Sequence, residues 1–132
     1  MKIGILDMKI VYKAAGEPAE IRDIENTLEV MQGLVKGLVE NVIYKPGIDM
    51  WCNEEHEFNG MRSNVVIKNG CCDDVICGPV IFCGYDNEGK CISLTDQQAE
   101  EIIKELNKDK YIANYEDDIY GVPLLVMDIE ME

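Results

Sequence analysis

Residues 2–13 alternate loosely between apolar and polar side chains and are rich in Ile, Val and Tyr, which predicts a strand. Gly16-Glu17-Pro18 interrupts it, and Ala19 to Ile24 reads as a second extended segment. Asn26-Thr27-Leu28-Glu29 then opens a helix, with Asn26 as cap and Glu29 reaching back to it. Leu28, Met31, Val35 and Leu38 recur at helical spacing and predict one buried face. Gly33 and Gly37 weaken this helix, and Gly37 is placed to cap its C-terminus. Val39 to Tyr44 and Ile48 to Cys52 are β-type runs around the turn Lys45-Pro46-Gly47.

Two tight-turn signals follow, Asn59-Gly60 and Asn69-Gly70. Val75 to Cys83 is the most apolar run of the chain, and Pro79 within it has no N–H for a ladder, so a bulge or an edge is expected there. Asp86-Asn87-Glu88-Gly89 turns the chain into a short strand near Cys91-Ile92-Ser93. The second helix is the clearest element. Thr95 and Gln98 make a capping box, Ala99, Ile102, Ile103 and Leu106 form the buried stripe, and Lys104 and Lys108 suit the negative helix end. Ile119 to Ile129 adds a last strand. The order strand, strand, helix, four strands, helix, strand predicts an α+β fold with two helices packed on a mostly antiparallel β-sheet. At 132 residues the chain reads as one domain, 1–132, with an acidic C-terminal segment and no internal repeat.

Charge changes the functional picture. Acids number 26 against 12 bases, a net charge of −14, which speaks against direct binding of nucleic acid or anionic membrane. Residues 84–132 carry 13 acids and 4 bases, so the surplus concentrates on the second helix, the loop after it and the tail. Asp7 and Lys9 break the apolar start, and no apolar run approaches the roughly 18–20 residues needed to cross a bilayer, so a cytoplasmic protein is expected. Six cysteines stand at 52, 71, 72, 77, 83 and 91 without a Cys-x-x-Cys pair. They read as reduced thiols, Cys71 and Cys72 being the best candidates for a reactive pair.

Catalytic signatures are missing. Cys52-Asn53-Glu54-Glu55-His56-Glu57 could offer a thiolate with His56 as base, or a metal held by Glu54, His56 and Glu57. Neighbouring carboxylates would raise the thiol pKa, however, and His56 is the one histidine where helical zinc sites need two. The segment reads instead as a strand end and polar hairpin loop. A calcium loop at Asp86–Gly89 fails because Gly84 and Thr95 would fill its first and last ligand positions. No phosphate loop and no Ser/His/Asp set is present, so neither an enzyme nor a cofactor or metal is expected.

Ile24-Glu25-Asn26-Thr27-Leu28-Glu29, Met31-Gln32, Asn53-Glu54-Glu55, Gly60 with Asn64, the Ile76 to Gly84 strand and Ser93-Leu94-Thr95-Asp96-Gln97-Gln98 carry a resemblance to one family. From about Ile21 to Leu106 the chain resembles the bacterial family named domain of unknown function 3846. Members typically have Gly-Gly where this chain has Lys36-Gly37, and Gly where it has His56. The resemblance implies no activity. It implies a setting in phages, plasmids and other mobile elements, where small acidic proteins often inhibit host defence, including as DNA mimics that block CRISPR or restriction nucleases.

The leading expectation is therefore a non-enzymatic anti-CRISPR or anti-restriction protein that occupies the basic groove of a nucleic-acid-binding partner. Glu101, Glu105, Asp109, Glu116, Asp117 and Asp118 would make that contact. The alternative is a homo-oligomeric small-ligand binder that sequesters a nucleotide signal between protomers, through Trp51, Asn53, Glu54, Glu55, Arg62 and Asn64, with Tyr85 as a second stacking face. A thiol enzyme at Cys52 ranks third.

Overall fold

The structure, a computed structural model, describes residues 7–56, 60–69, 72–108, 110–115 and 118–126. The chain runs β1 (Asp7–Lys13), β2 (Glu20–Glu25), α1 (Leu28–Val35), β3 (Val39–Lys45), β4 (Ile48–Asn53), β5 (Ser63–Asn69), β6 (Cys72–Cys77), β7 (Val80–Tyr85), β8 (Cys91–Ile92), α2 (Asp96–Leu106), β9 (Lys110–Tyr115) and β10 (Asp118–Val126). The α+β class and the mostly antiparallel pairing are as the sequence predicts, but the strands divide into two sheets. One has six strands in the order β2-β1-β7-β4-β3, with β8 paired to β7; the other has the order β6-β5-β10-β9. Among the described residues, β5 with β10 is the parallel pair and the remaining pairs are antiparallel.

Burial follows from both faces of the larger sheet being covered, which turns a strand into a continuous apolar run. In β7, Val80 and Phe82 point into a core shared with Val65 and Ile67 of β5 and Leu125 of β10, while Ile81 and Cys83 point the other way. Tyr44 of β3 meets Phe82 edge to face, with ring centroids 5.6 Å apart. Helix α2 packs on β1 and β10, one strand from each sheet, and sends Ala99, Ile102 and Leu106 into the shared core. Helix α1 lies on the opposite face of the larger sheet, where Met31 and Val35 cover Met8, Ile10, Ile81 and Cys83. No helix among the described residues is long and apolar enough to cross a membrane.

Several sequence expectations change. The apolar run Val75 to Cys83 is two strands, because Gly78, at φ 79, and Pro79 carry the chain from the smaller sheet to the larger one. Residues 63–69, read only as a stretch between two turns, form β5, whose Val65, Val66 and Ile67 are fully buried. β9 is a further strand beyond those expected. Thr27 caps α1 in place of Asn26, accepting a hydrogen bond from the Val30 N–H, while the Asn26 amide donates to the Cys91 carbonyl at 2.9 Å. The helix stops at Val35, so the expected apolar face shortens to Met31 and Val35, and Leu28 and Leu38 remain 58% and 60% exposed. The left-handed residue that ends it is Lys36, at φ 65, and not Gly37. Asn59, Gly70 and Cys71 lie outside the described residues.

Candidate functional site

Of the six acids expected to meet a basic partner, Glu101 and Glu105 stand four apart on α2, the first exposed and the second partly so. The Gln97 amide donates to Glu101 Oε1 at 3.1 Å. Lys104 is exposed on the same helix. Asp109, Glu116 and Asp117 lie outside the described residues, and Asp118 opens β10, where only its backbone is described. Exposed carboxylates also occur at Glu20 and Asp23 of β2 and at Glu29 of α1, and α1 sits on the other face of the larger sheet from α2. The described negative surface is thus not confined to one face.

Of the six residues of the alternative site, Asn53, Glu54 and Glu55 line one cavity, whereas Trp51 and Arg62 line two others and Asn64 is buried. Asn53 is 4% exposed; its side-chain amide donates to the carbonyls of Val35 and Lys36, both at 3.1 Å, and its oxygen accepts the Glu55 N–H at 2.7 Å. It closes the C-terminus of α1, where the last carbonyls lack helical partners. Gly37 is needed for this approach, since a Cβ there would stand 2.6 Å from the Asn53 amide nitrogen. Asn64 is fully buried and joins three chain segments: its oxygen accepts from Lys13 Nζ at 2.6 Å, and its amide donates to the carbonyls of Lys13 at 2.9 Å and Gly78 at 2.8 Å. Both asparagines therefore hold neighbouring chain segments together. Glu54 and Glu55 line a cavity of about 280 Å³ together with Lys36.

Trp51 lies elsewhere, in an apolar cavity of about 370 Å³ with Leu28, Met31, Val39 and Cys91. Its buried indole N–H has no regular hydrogen-bond acceptor and faces the sulfurs of Cys83 and Cys91. These two thiols share a hydrogen bond. The pKa of Cys83 is raised by that bond and by burial, whereas Cys91 is lowered by accepting it.

Arg62 marks the most distinctive cleft. A concavity of about 290 Å³ is lined by Tyr12, Ala14, Ala15, Lys36, Met61, Arg62, Gly78 and Pro79. It forms where β1 ends, where α1 ends and where the chain crosses between sheets. The Gly78 N–H donates to the Arg62 carbonyl at 2.8 Å, and the Arg62 guanidinium lies against Gly16. The Arg22 guanidinium sits 4.1 Å from the centre of the Tyr12 ring. Lys36 and Arg62 are both exposed and, among the described residues, the lining of the cleft includes no carboxylate, in a chain where acids outnumber bases 26 to 12. Sequence reasoning found Arg62 but missed Lys36 and Tyr12, because no local pattern announces that three distant segments converge.

One group of described side chains is close enough to hold a metal: Glu40, Cys52 and His56, with one donor atom from each within 4.8 Å of the others. Burial first, then the Glu40 carboxylate, pushes the Cys52 thiol up to about 12, so it is a poor nucleophile at neutral pH. Glu57, placed with His56 in the sequence reading, lies outside the described residues. No curated protein and no solved structure matches the chain. Residues 8–107 match the family model described as Domain of unknown function (DUF3846), and with most of its length covered the chain belongs to that family.

Proposed function

We propose that this protein is a non-enzymatic binder of a small anionic ligand, of the phosphate-bearing nucleotide class, held in the cleft between Lys36 and Arg62. The observation that carries the reading is that Lys36 and Arg62, both exposed, line one concavity beside the Tyr12 ring, in a chain of net charge −14. A cleft with low-dielectric walls focuses the field of its charges, and a guanidinium offers forked donors suited to phosphate oxygens. Lys36 adds a second argument. It holds a left-handed backbone that disfavours side chains, and such strain is concentrated at sites of function.

The test is thermal unfolding of the full chain at low salt with nucleoside mono-, di- and triphosphates and with inorganic phosphate. A ligand at a hundred times its Kd adds about 2.7 kcal/mol of stability. Saturable stabilisation by a nucleotide, lost in Lys36→Glu and Arg62→Glu, supports the reading. No stabilisation by any probe, or stabilisation unchanged in both variants, overturns it.

A second reading keeps the acidic surface as the contact, as in an inhibitor from a mobile element that occupies the basic groove of a host nuclease. It is favoured by Glu101 and Glu105 standing at i and i+4 on a firmly capped helix. Under this reading Glu101→Lys with Glu105→Lys abolishes a salt-sensitive association and leaves nucleotide stabilisation untouched.

A further inference from the structure

Glu40 faces Cys52 directly across the β3–β4 pair. Directly opposed residues of an antiparallel pair present their side chains to the same face, with Cβ atoms about 4.5–5.5 Å apart. His56 joins them through a tight turn in which its N–H donates to the Asn53 carbonyl at 3.1 Å. We propose that Glu40, Cys52 and His56 form a binding site for a divalent, thiol-seeking metal ion of the zinc class. This site is independent of the anion cleft.

The spacing suits the ion. Tetrahedral zinc with bonds of about 2.0–2.3 Å separates its ligand atoms by roughly 3.3–3.8 Å. The three donors already lie within 4.8 Å of one another, so rotamer adjustments of about 1 Å close the site. A thiolate, an imidazole and a carboxylate together select zinc or cobalt over magnesium or calcium, which take oxygen ligands. Cys52 is fully buried and His56 is 7% exposed, while Glu40 is exposed, so the ion is reached from the Glu40 side. Three protein ligands leave a fourth position for water or a bound molecule.

The ring of His56 supplies an internal reporter. Its Nδ1 accepts the Cys77 backbone N–H at 3.1 Å. A metal at Nδ1 displaces that N–H, and a metal at Nε2 moves the ring proton to Nδ1, which can then no longer accept. Both routes exchange one hydrogen bond for a metal–nitrogen bond and release the Cys77 amide. On binding, the Cys52 thiol proton passes to solvent as the sulfur–metal bond forms, with no change of oxidation state.

The experiment uses the full chain, reduced, stripped by chelator and titrated with cobalt(II). One equivalent is expected to give the visible bands of a tetrahedral centre and a thiolate-to-cobalt charge-transfer band, both removed by zinc. The Cys77 amide resonance should shift with the same stoichiometry. Cys52→Ser should lose the charge-transfer band. Glu40→Gln, at an exposed position that leaves the apo fold intact by circular dichroism, should weaken cobalt binding by about tenfold or more. No charge-transfer band in the parent chain, or a band that survives Cys52→Ser, overturns the site. Affinity unchanged in Glu40→Gln removes Glu40 from it.

Discussion

Helix α2 carries its own boundary signals, with the Thr95 hydroxyl accepting the Gln98 N–H and the Gln98 side chain accepting the Thr95 N–H. Asp96 in its first turn pairs with Lys9 of β1, and Lys104 lies in its last turn. Helix α1 is eight residues long and closes on Lys36 in a left-handed conformation. Its last carbonyls are taken by Asn53, which is 18 positions from Val35. The C-terminus of the first helix thus depends on a strand formed later in the chain, whereas the N-terminus of the second is capped by its neighbours in sequence. Where a boundary is fixed from afar, the residues at that boundary are released from local rules. The left-handed Lys36 at the end of α1 is one result.

The largest expected effect comes from breaking the distant support. Asn53→Ala leaves the buried Val35 carbonyl, the part-buried Lys36 carbonyl and the Glu55 N–H short of partners and should lower unfolding free energy by about 3 kcal/mol, read from urea denaturation. A loss below about 1 kcal/mol would mean that α1 closes without it. Thr95→Ala removes the local cap of α2 and should cost about 1 kcal/mol. Lys36→Gly runs the other way, relieving the left-handed side chain for a gain of about 1 kcal/mol while weakening nucleotide binding. Stability and affinity moving in opposite directions would mark Lys36 as a functional and not a structural residue.

The smallest effect is the pH dependence of the Lys9–Asp96 pair. The hydrogen bond and charge of Lys9 hold Asp96 below its ordinary 3.8, and Asp96 holds Lys9 above its ordinary 10.5. The Asp96 contribution is therefore present above 3.8 and fades as the pH falls through its lowered value. That of Lys9 is present below 10.5 and fades as the pH rises through its raised value. Both groups are solvent-facing, so Asp96→Asn should flatten the acid limb of the stability profile only slightly, and less at high salt.

The thiols repeat the lesson of the helices at the level of chemistry. As a list, the cysteines are alike. In the fold, burial first and then a carboxylate from the neighbouring strand push Cys52 to about 12, while Cys91 accepts a hydrogen bond from Cys83 and is lowered. Cys91 is thus expected to be alkylated ahead of Cys52 when both are followed by mass spectrometry of the native chain.

Periodicity, caps and turn residues determined the α+β class, the capped start of α2, the β3–β4 hairpin and the turn into β8, since each of these depends on contacts within a few residues. The division into two sheets was not legible. It rests on Gly78-Pro79 acting as a crossing inside an apolar run, and a strand buried on both faces shows no alternation to reveal where it changes partners. The sites depend on the same long-range choices. Arg62 and His56 are visible as isolated polar residues, but strand register alone places Glu40 opposite Cys52, and only the meeting of β1, α1 and the sheet crossing brings Lys36 to Arg62. Local sequence fixes local hydrogen bonds, whereas a site assembled from distant segments exists only once the core has set their relative positions.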